Sequence, residues 1–314
     1  MAELILHHYW ESPYAEKIRR LMGMKGLVWR SVIIPMIMPK PDVVALTGGY
    51  RKTPILQIGA DIYCDTALIA DVLERLQPSP TMYPDDIGAL ARILAQWGDT
   101  TLFWTTIPYV FQPAGMQTLF ANVPPEHIQA FGADRKAFRN NAPRMPIPEA
   151  TGSLAVYLQR LDAMLADGRP YLLGALPTIA DFAVYHSIWF IRRGGPLAGI
   201  LDAHRRLVDW ADGMKRIGHA ESTPLASDEA VAIARASTPA AVPREAANAA
   251  DAHGIAIGER VRIAATDYGT DPVEGELVLS TANEIALRRS DPRAGEVVVH
   301  VPRVGFGMSR AEPA

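Results

Sequence analysis

The order of elements in the first quarter of this 314-residue chain constrains its fold more than any other feature. Residues 4–9 read as a strand. Trp10-Glu11-Ser12-Pro13-Tyr14 come next, then an amphipathic helix with Ile18, Leu21 and Met22 on one face. Val28–Ile34 is a second β-rich run, and a third, 52–58, is entered through Pro54. A fourth, Asp61–Cys64, comes after a Gly59-Ala60 turn, and Asp65-Thr66 opens a helix that runs to Leu76. The order is β-α-β, loop, β-β-α. A proline opening a strand can be cis and leave the neighbouring backbone free to pair with a ligand.

Ser12 suits the N-cap of the first helix and Pro13 its first turn. The Ser12 hydroxyl then lies at the positive end of a helix, close to exposed N–H groups, where an anion is stabilised. A thiolate is one such anion. Ser-Pro at a helix start is more often only a cap, so the functional reading depends on the strands and helix downstream of it.

The downstream order is thioredoxin-like, and residues 1–220 resemble a cytosolic glutathione S-transferase of the Ser type. The resemblance is carried by Ser12-Pro13, by Lys52-Thr53-Pro54, by Asp65-Thr66 and by Pro177-Thr178-Ile179-Ala180-Asp181-Phe182. It implies a thioredoxin-like part that binds glutathione, with an all-helical part after it. Ser12 would touch the glutathione sulfur. Thr53, before Pro54, would pair through its backbone with the cysteinyl portion, and Lys52 would lie beside it. Asp65-Thr66 stands where the family usually has Glu-Ser gripping the γ-glutamyl end, and the shorter acid weakens or shifts that grip. Asp181, with Thr178, would be a structural capping box. Family members are usually dimers, so a homodimer is implied too.

These residue types suit the chemistry. A free thiol has a pKa near ~8.5, and lowering it by ~2 units takes about 2.7 kcal/mol. A hydroxyl hydrogen bond to a charged group supplies ~1.5–3 kcal/mol and a helix N-terminus ~0.3–1 kcal/mol. Lys52 and Arg51 offer cations to the peptide carboxylates, and Asp65 offers an acid to the α-ammonium. Outside such a role, Lys52 and Arg51 are solvated loop charges, Asp65 is a helix cap and Thr53 a strand edge. Trp97, Phe103, Trp104, Tyr109 and Phe111 crowd the next helical stretch. Such a cluster is more often core. Trp104 and Tyr109 are the first candidates for a substrate pocket, with Tyr14 beside Ser12.

Other chemistries are poorly supplied. Glutaredoxin-like enzymes carry Cys-Pro-Tyr-Cys where this chain has Ser12-Pro13-Tyr14-Ala15, so no thiol is left there for disulfide exchange. The single cysteine, Cys64, reads as a small buried hydrophobe, and its isolation suits a reducing, cytoplasmic setting. His7 and His8 fall on opposite faces of a strand and cannot chelate one metal together. No other spacing suggests a metal site or a phosphate loop. A net charge of −3 gives no pull toward nucleic acid or anionic membranes, and no signal peptide or membrane span is read.

The chain divides in outline into a thioredoxin-like part, 1–79, and an all-α part, 85–220. An Ala/Pro-rich linker with room for one helix, 221–253, and a small β-rich module, 254–314, complete it. The helical part reads as 85–107, a proline-broken region 108–147, and helices at 149–166, 178–193 and 200–217. The last part alternates at 260–263, 275–279, 284–288 and 296–301, and suggests a small antiparallel barrel or curled sheet. It holds seven Arg, no Lys and nine acids, a net of −2, which counts against nucleic acid. Packing on the transferase body or a partner, or covering the substrate opening, fits better.

The reading is an enzyme that holds glutathione as its thiolate through Ser12 and directs it at a small apolar electrophile. The alternatives are a non-catalytic binding or scaffold protein of the same fold, and a glutathione-dependent isomerase or dehalogenase.

Overall fold

A computed structural model describes residues 3–139, 144–241 and 254–311. The first part contains β1 (Ile5–His8), α1 (Pro13–Lys25), β2 (Trp29–Ile33), α2 (Pro41–Thr47), β3 (Ile55–Ile58), β4 (Asp61–Cys64) and α3 (Thr66–Leu76). β1 pairs parallel with β2 and antiparallel with β3, and β3 pairs antiparallel with β4. All four residues of β1 are buried, because helices cover both faces of the sheet. Leu4 and Leu6 pack with Ile18, Leu21 and Met22 of α1 on one face. Ile5 packs with Val43 and Leu46 of α2 on the other. This is the thioredoxin-like arrangement expected.

The helical part contains α4 (Gly88–Trp97), α5 (Phe103–Val110), α6 (Pro113–Leu119), α7 (Pro125–Arg139), α8 (Ile147–Met164), α9 (Ile179–Arg192) and α10 (Arg205–Arg216). The single helix expected over 85–107 is interrupted by a π-helical turn, Gly98–Leu102, that carries Asp99. Pro108 does not end the next helix but sits within α5, whereas Pro113 and Pro125 open α6 and α7. A 3₁₀ turn, Gly195–Leu201, precedes α10 and delays its start to Arg205. α9 is the central helix and is buried on nearly every side. Its capping box forms as expected: the Asp181 carboxylate accepts from the amides of Thr178 and Leu172 and from Trp210 Nε1.

The largest departure is at the C-terminal end. Within the expected linker, β5 (Ser222–Pro224) pairs parallel with β2, and α11 (Ser227–Ala236) joins the core beside α2; 242–253 lie outside the described residues. β6 (Arg260–Ala265), β7 (Val273–Ser280), β8 (Glu284–Asp291), β9 (Gly295–Pro302) and β10 (Phe306–Arg310) are antiparallel to their partners within the group. They form no separate barrel. β9 pairs parallel with β4, with Asp61, Ile62 and Tyr63 opposite Val298, Val299 and His300. One ten-stranded sheet results, in the order β10-β6-β7-β8-β9-β4-β3-β1-β2-β5.

The physical reason is an edge. β4 without a neighbour would present a row of unpaired N–H and C=O groups. β9 satisfies that row, and Val297, Val299 and Val301 enter the same core as Ile55, Ile62 and Cys64. The seam also carries charge. His300 bonds Glu284 through Nδ1 at 2.7 Å and Asp61 through Nε2 at 3.2 Å. Burial opposes protonation of His300, but the two carboxylates outweigh it and raise the pKa.

Candidate functional site

The site starts where β1 hands over to α1. Ser12 caps α1: its Oγ accepts from the Ala15 amide at 3.2 Å, and Pro13 takes the first turn. The side chain is only 2% exposed and its hydroxyl reaches the Thr53 carbonyl at 3.5 Å, a long contact that leaves the proton free to turn elsewhere. Ser12 and Thr53 are therefore brought together, although 41 residues separate them. The Thr53–Pro54 bond is cis.

Two residues at this place were not singled out in the sequence. Tyr9 ends the first strand run and presents its phenol to the Ser12 hydroxyl; burial is the larger influence and raises the phenol's pKa. Lys40, just before α2, is 3% exposed and reaches only the Arg51 carbonyl and Thr53 Oγ1, each at 3.4 Å. Among the described residues it has no carboxylate in ion-pair contact. Burial first, and then Arg135, lower its pKa to about 8. Tyr9 lies three positions before Ser12, and Lys40 precedes a Pro-opened helix; neither signal is specific in a single sequence.

Asp65 caps α3 by accepting from the Ala67 amide at 2.9 Å. It does so at φ 75°, a conformation that disfavours any residue but glycine and costs about 1–3 kcal/mol. Burial, with Asp99 nearby, raises its pKa, against the pull of the Ala67 amide, Lys52 and Lys17. Thr66 is drawn into a buried network that the sequence did not announce. Lys17 Nζ donates to Thr66 Oγ1 at 3.1 Å and to Asp99 Oδ2 at 2.6 Å. The other oxygen of Asp99 meets His186 Nε2 at 3.1 Å. Burial lowers the pKa of His186 despite that carboxylate.

The three pocket candidates part company. Tyr14 donates its hydroxyl to the Asp99 carbonyl and packs on Phe103 and His186, so it clamps α1 to the helical part. Tyr109 is buried in the helical core with its hydroxyl on the Leu197 carbonyl. Trp104 is half-buried and meets Tyr268 edge-on, with ring centroids 4.7 Å apart.

Tyr268 belongs to the β6–β7 loop, which crosses to the helices. Its neighbour Asp267 pairs with Lys52 Nζ at 2.6 Å, and that same Nζ lies 4.1 Å from the Tyr268 ring centroid. Lys52, expected to serve a peptide carboxylate, is thus engaged by the chain's own tail, and its side chain is 11% exposed. Arg51 pairs with Asp134 and Asp271 and lies over the Phe138 ring.

His7 and His8 point to opposite sides. His7 meets Gln57, and His8 meets Ser31 and Arg19. Among the described residues no cluster of three or more His, Cys, Asp or Glu is arranged to hold a metal. Among them too, no helix is long and apolar enough to cross a membrane.

Comparison with known proteins gives the family. The family described as "Glutathione S-transferase, N-terminal domain" matches residues 6–81, and "Glutathione S-transferase, C-terminal domain" matches residues 146–213. A GST-like protein from Pseudomonas syringae is 41% identical, with a TM-score of 0.84 over 99% of this chain and 100% of its own. Its match therefore includes the appended strands. A glutathione S-transferase from Rhodospirillum rubrum F11 is 21% identical, with a TM-score of 0.53 over 68% of this chain and 87% of its own. FzlA from C. crescentus is 19% identical, with a TM-score of 0.50 over 68% and 88%. The latter two share the fold alone. No curated protein matches this chain.

Proposed function

Because the chain belongs to the glutathione S-transferase family, we propose that it binds glutathione beside Ser12 and directs the glutathione thiolate at an apolar electrophile. The observation that carries this reading is the buried Ser12 hydroxyl at the head of α1, next to the Thr53 carbonyl and the Tyr9 phenol. A sulfur anion placed there meets a hydroxyl donor and the positive end of a 13-residue helix. Ser12 is not the nucleophile: among the described residues no His or carboxylate lies within hydrogen-bond distance of its hydroxyl.

The surrounding residues fit the rest of the tripeptide. Thr53 offers its backbone to the cysteinyl unit. Lys40, a buried cation without a paired carboxylate, is suited to a peptide carboxylate, with Lys52 beyond it. Asp65 has one oxygen committed to the α3 cap, and its carboxylate suits the ligand's α-ammonium, with Thr66 at the same helix start. In the reaction the thiol proton passes to solvent. The thiolate then forms a C–S bond as the carbon's bond to its leaving group breaks, and the electron pair leaves with that group. We further propose a cytoplasmic homodimer, to be tested by light scattering.

Ultraviolet titration of bound glutathione tests the reading. Wild type should show thiolate at neutral pH. Ser12→Ala should raise the bound thiol's pKa by about 1–2 units, equal to the ~1.5–3 kcal/mol of a hydrogen bond to a charged group. Equal pKa values in the two proteins would remove Ser12 from this role.

A further inference from the structure

The β6–β7 loop, 266–272, reaches across from the appended strands to Trp104 of α5, Phe138 of α7 and Lys52. It is held there by specific contacts. Asp267 pairs with Lys52, and the Gly269 amide donates to the Phe138 carbonyl at 2.9 Å. Gly269 is required by that approach. Its φ is +60°, and a Cβ built on it would lie 2.3 Å from the Phe138 ring. Between these two anchors stands Tyr268, whose ring is edge-on to both Trp104, at 4.7 Å, and Phe138, at 5.1 Å.

Tyr268 is only half-buried, and among the described residues its hydroxyl has no hydrogen-bond partner. Its ring centroid lies 4.1 Å from Lys52 Nζ, one residue before Thr53, whose carbonyl the Ser12 hydroxyl reaches. Three aromatic rings and the start of the peptide-binding turn therefore converge on one wall. The wall is built by three distant parts of the chain.

We propose that Tyr268 is a specificity-determining residue of the electrophile subsite, giving preference to a flat aromatic group on the glutathione sulfur over a flexible alkyl group. This rests on the glutathione reading above. Aromatic rings prefer edge-to-face and offset contacts with other rings, at a gain beyond area burial that corresponds to about two- to tenfold in affinity. An alkyl chain of similar size gains only the burial.

The test uses the full-length protein and calorimetric titration with glutathione, S-benzylglutathione and S-butylglutathione. Wild type should favour the benzyl over the butyl ligand by about two- to tenfold. Tyr268→Phe should keep that ratio. Tyr268→Ala, or Tyr268→Leu where the alanine variant does not fold, should bring it close to one. Gly269→Ala keeps the tyrosine but drives the loop off Phe138, and should lower the same ratio. A merely structural role would weaken all three ligands alike and leave the ratio intact; that result, or an equal ratio in wild type and Tyr268→Ala, overturns the proposal. Wild type that does not bind glutathione at all overturns the glutathione reading instead, and this inference falls with it.

Discussion

Removing the Asp99 carboxylate should destabilise the protein by about 3–5 kcal/mol, the loss typical when one partner of a buried ion pair is deleted. The size comes from where Lys17 sits. Its side chain is 0% exposed and that of Asp99 is 15% exposed, so water screens the pair little. In Asp99→Ala the Lys17 ammonium keeps only Thr66 Oγ1, at 3.1 Å, as a neutral partner. His186 also loses the acceptor 3.1 Å from its Nε2, and a buried donor left unmet costs about 1–3 kcal/mol. The two contributions separate in the background of Lys17→Met, where no ammonium is stranded. There Asp99→Ala should cost only the His186 share, so the coupling between positions 17 and 99 should be about 2 kcal/mol or more. Urea unfolding monitored by far-ultraviolet circular dichroism measures all four proteins. A loss under about 1 kcal/mol for Asp99→Ala, or the same loss in both backgrounds, would refute the reasoning. The pair joins α1, α3 and α9 through the π turn, so it holds the thioredoxin-like part to the helices.

The remaining expectations concern acid and packing. Burial is the main cause that lowers the pKa of His7 to about 4 and of His8 to about 3, from an ordinary 6.5. A lowered folded-state value means that their contribution is complete above pH 6.5 and is lost as pH falls toward those values, at up to about 1.4 kcal/mol per unit for each. Stability measured from pH 7 to 4.5 should therefore fall steeply, and a flat profile would contradict the burial of both rings as neutral species. Gly275 lies in β7 where a Cβ would stand 2.4 Å from the Arg288 carbonyl oxygen. Backbone cannot yield as a side-chain tip does, so Gly275→Ala should cost about 1–3 kcal/mol and show as a lowered melting temperature.

Much of the fold was legible because local rules and the global arrangement agree. The strand run before Ser12, the Ser12 cap and Pro13 at the first turn each point to one structure, and the structure has it. The capping box of Thr178 and Asp181 is similarly local. What was not legible depends on partners distant in sequence. Nothing near Lys17 says that its ammonium will be buried against Asp99, 82 positions on. The π turn that presents Asp99 holds no proline, and a helix tolerates its one glycine, Gly98. The strands at the C-terminal end were recognisable by their alternation, and packing on the transferase body was one expectation for them, but their pairing with β4 was not legible. An isolated reading closes such strands on themselves, whereas here the open edge of β4 offers hydrogen bonds and a shared core. Of the site, Ser12 and Thr53 come together as the motif order requires. Lys52 does not stand free, because the residue that engages it, Asp267, lies 215 positions away.

The appended strands also act on the site from behind. Arg289 of β8 donates to the Ala45 carbonyl near the end of α2, and Arg293, in the turn after β8, pairs with Asp42 at its beginning. Both ends of a seven-residue helix, too short to be stable by itself, are thereby fixed to the extended sheet. Lys40 immediately precedes that helix, so the same clamp sets where its buried ammonium stands relative to Thr53. At the front, Asp267 and Tyr268 meet Lys52. The framework between these two places is continuous: β8 and β9 pair over eight residues, and β9 is bonded to β4. A binding site is most exact when rigid elements carry its parts. The added sheet gives this site such a frame, and thereby ties the Lys52–Thr53 turn and the Trp104–Tyr268 contact into one mechanical unit.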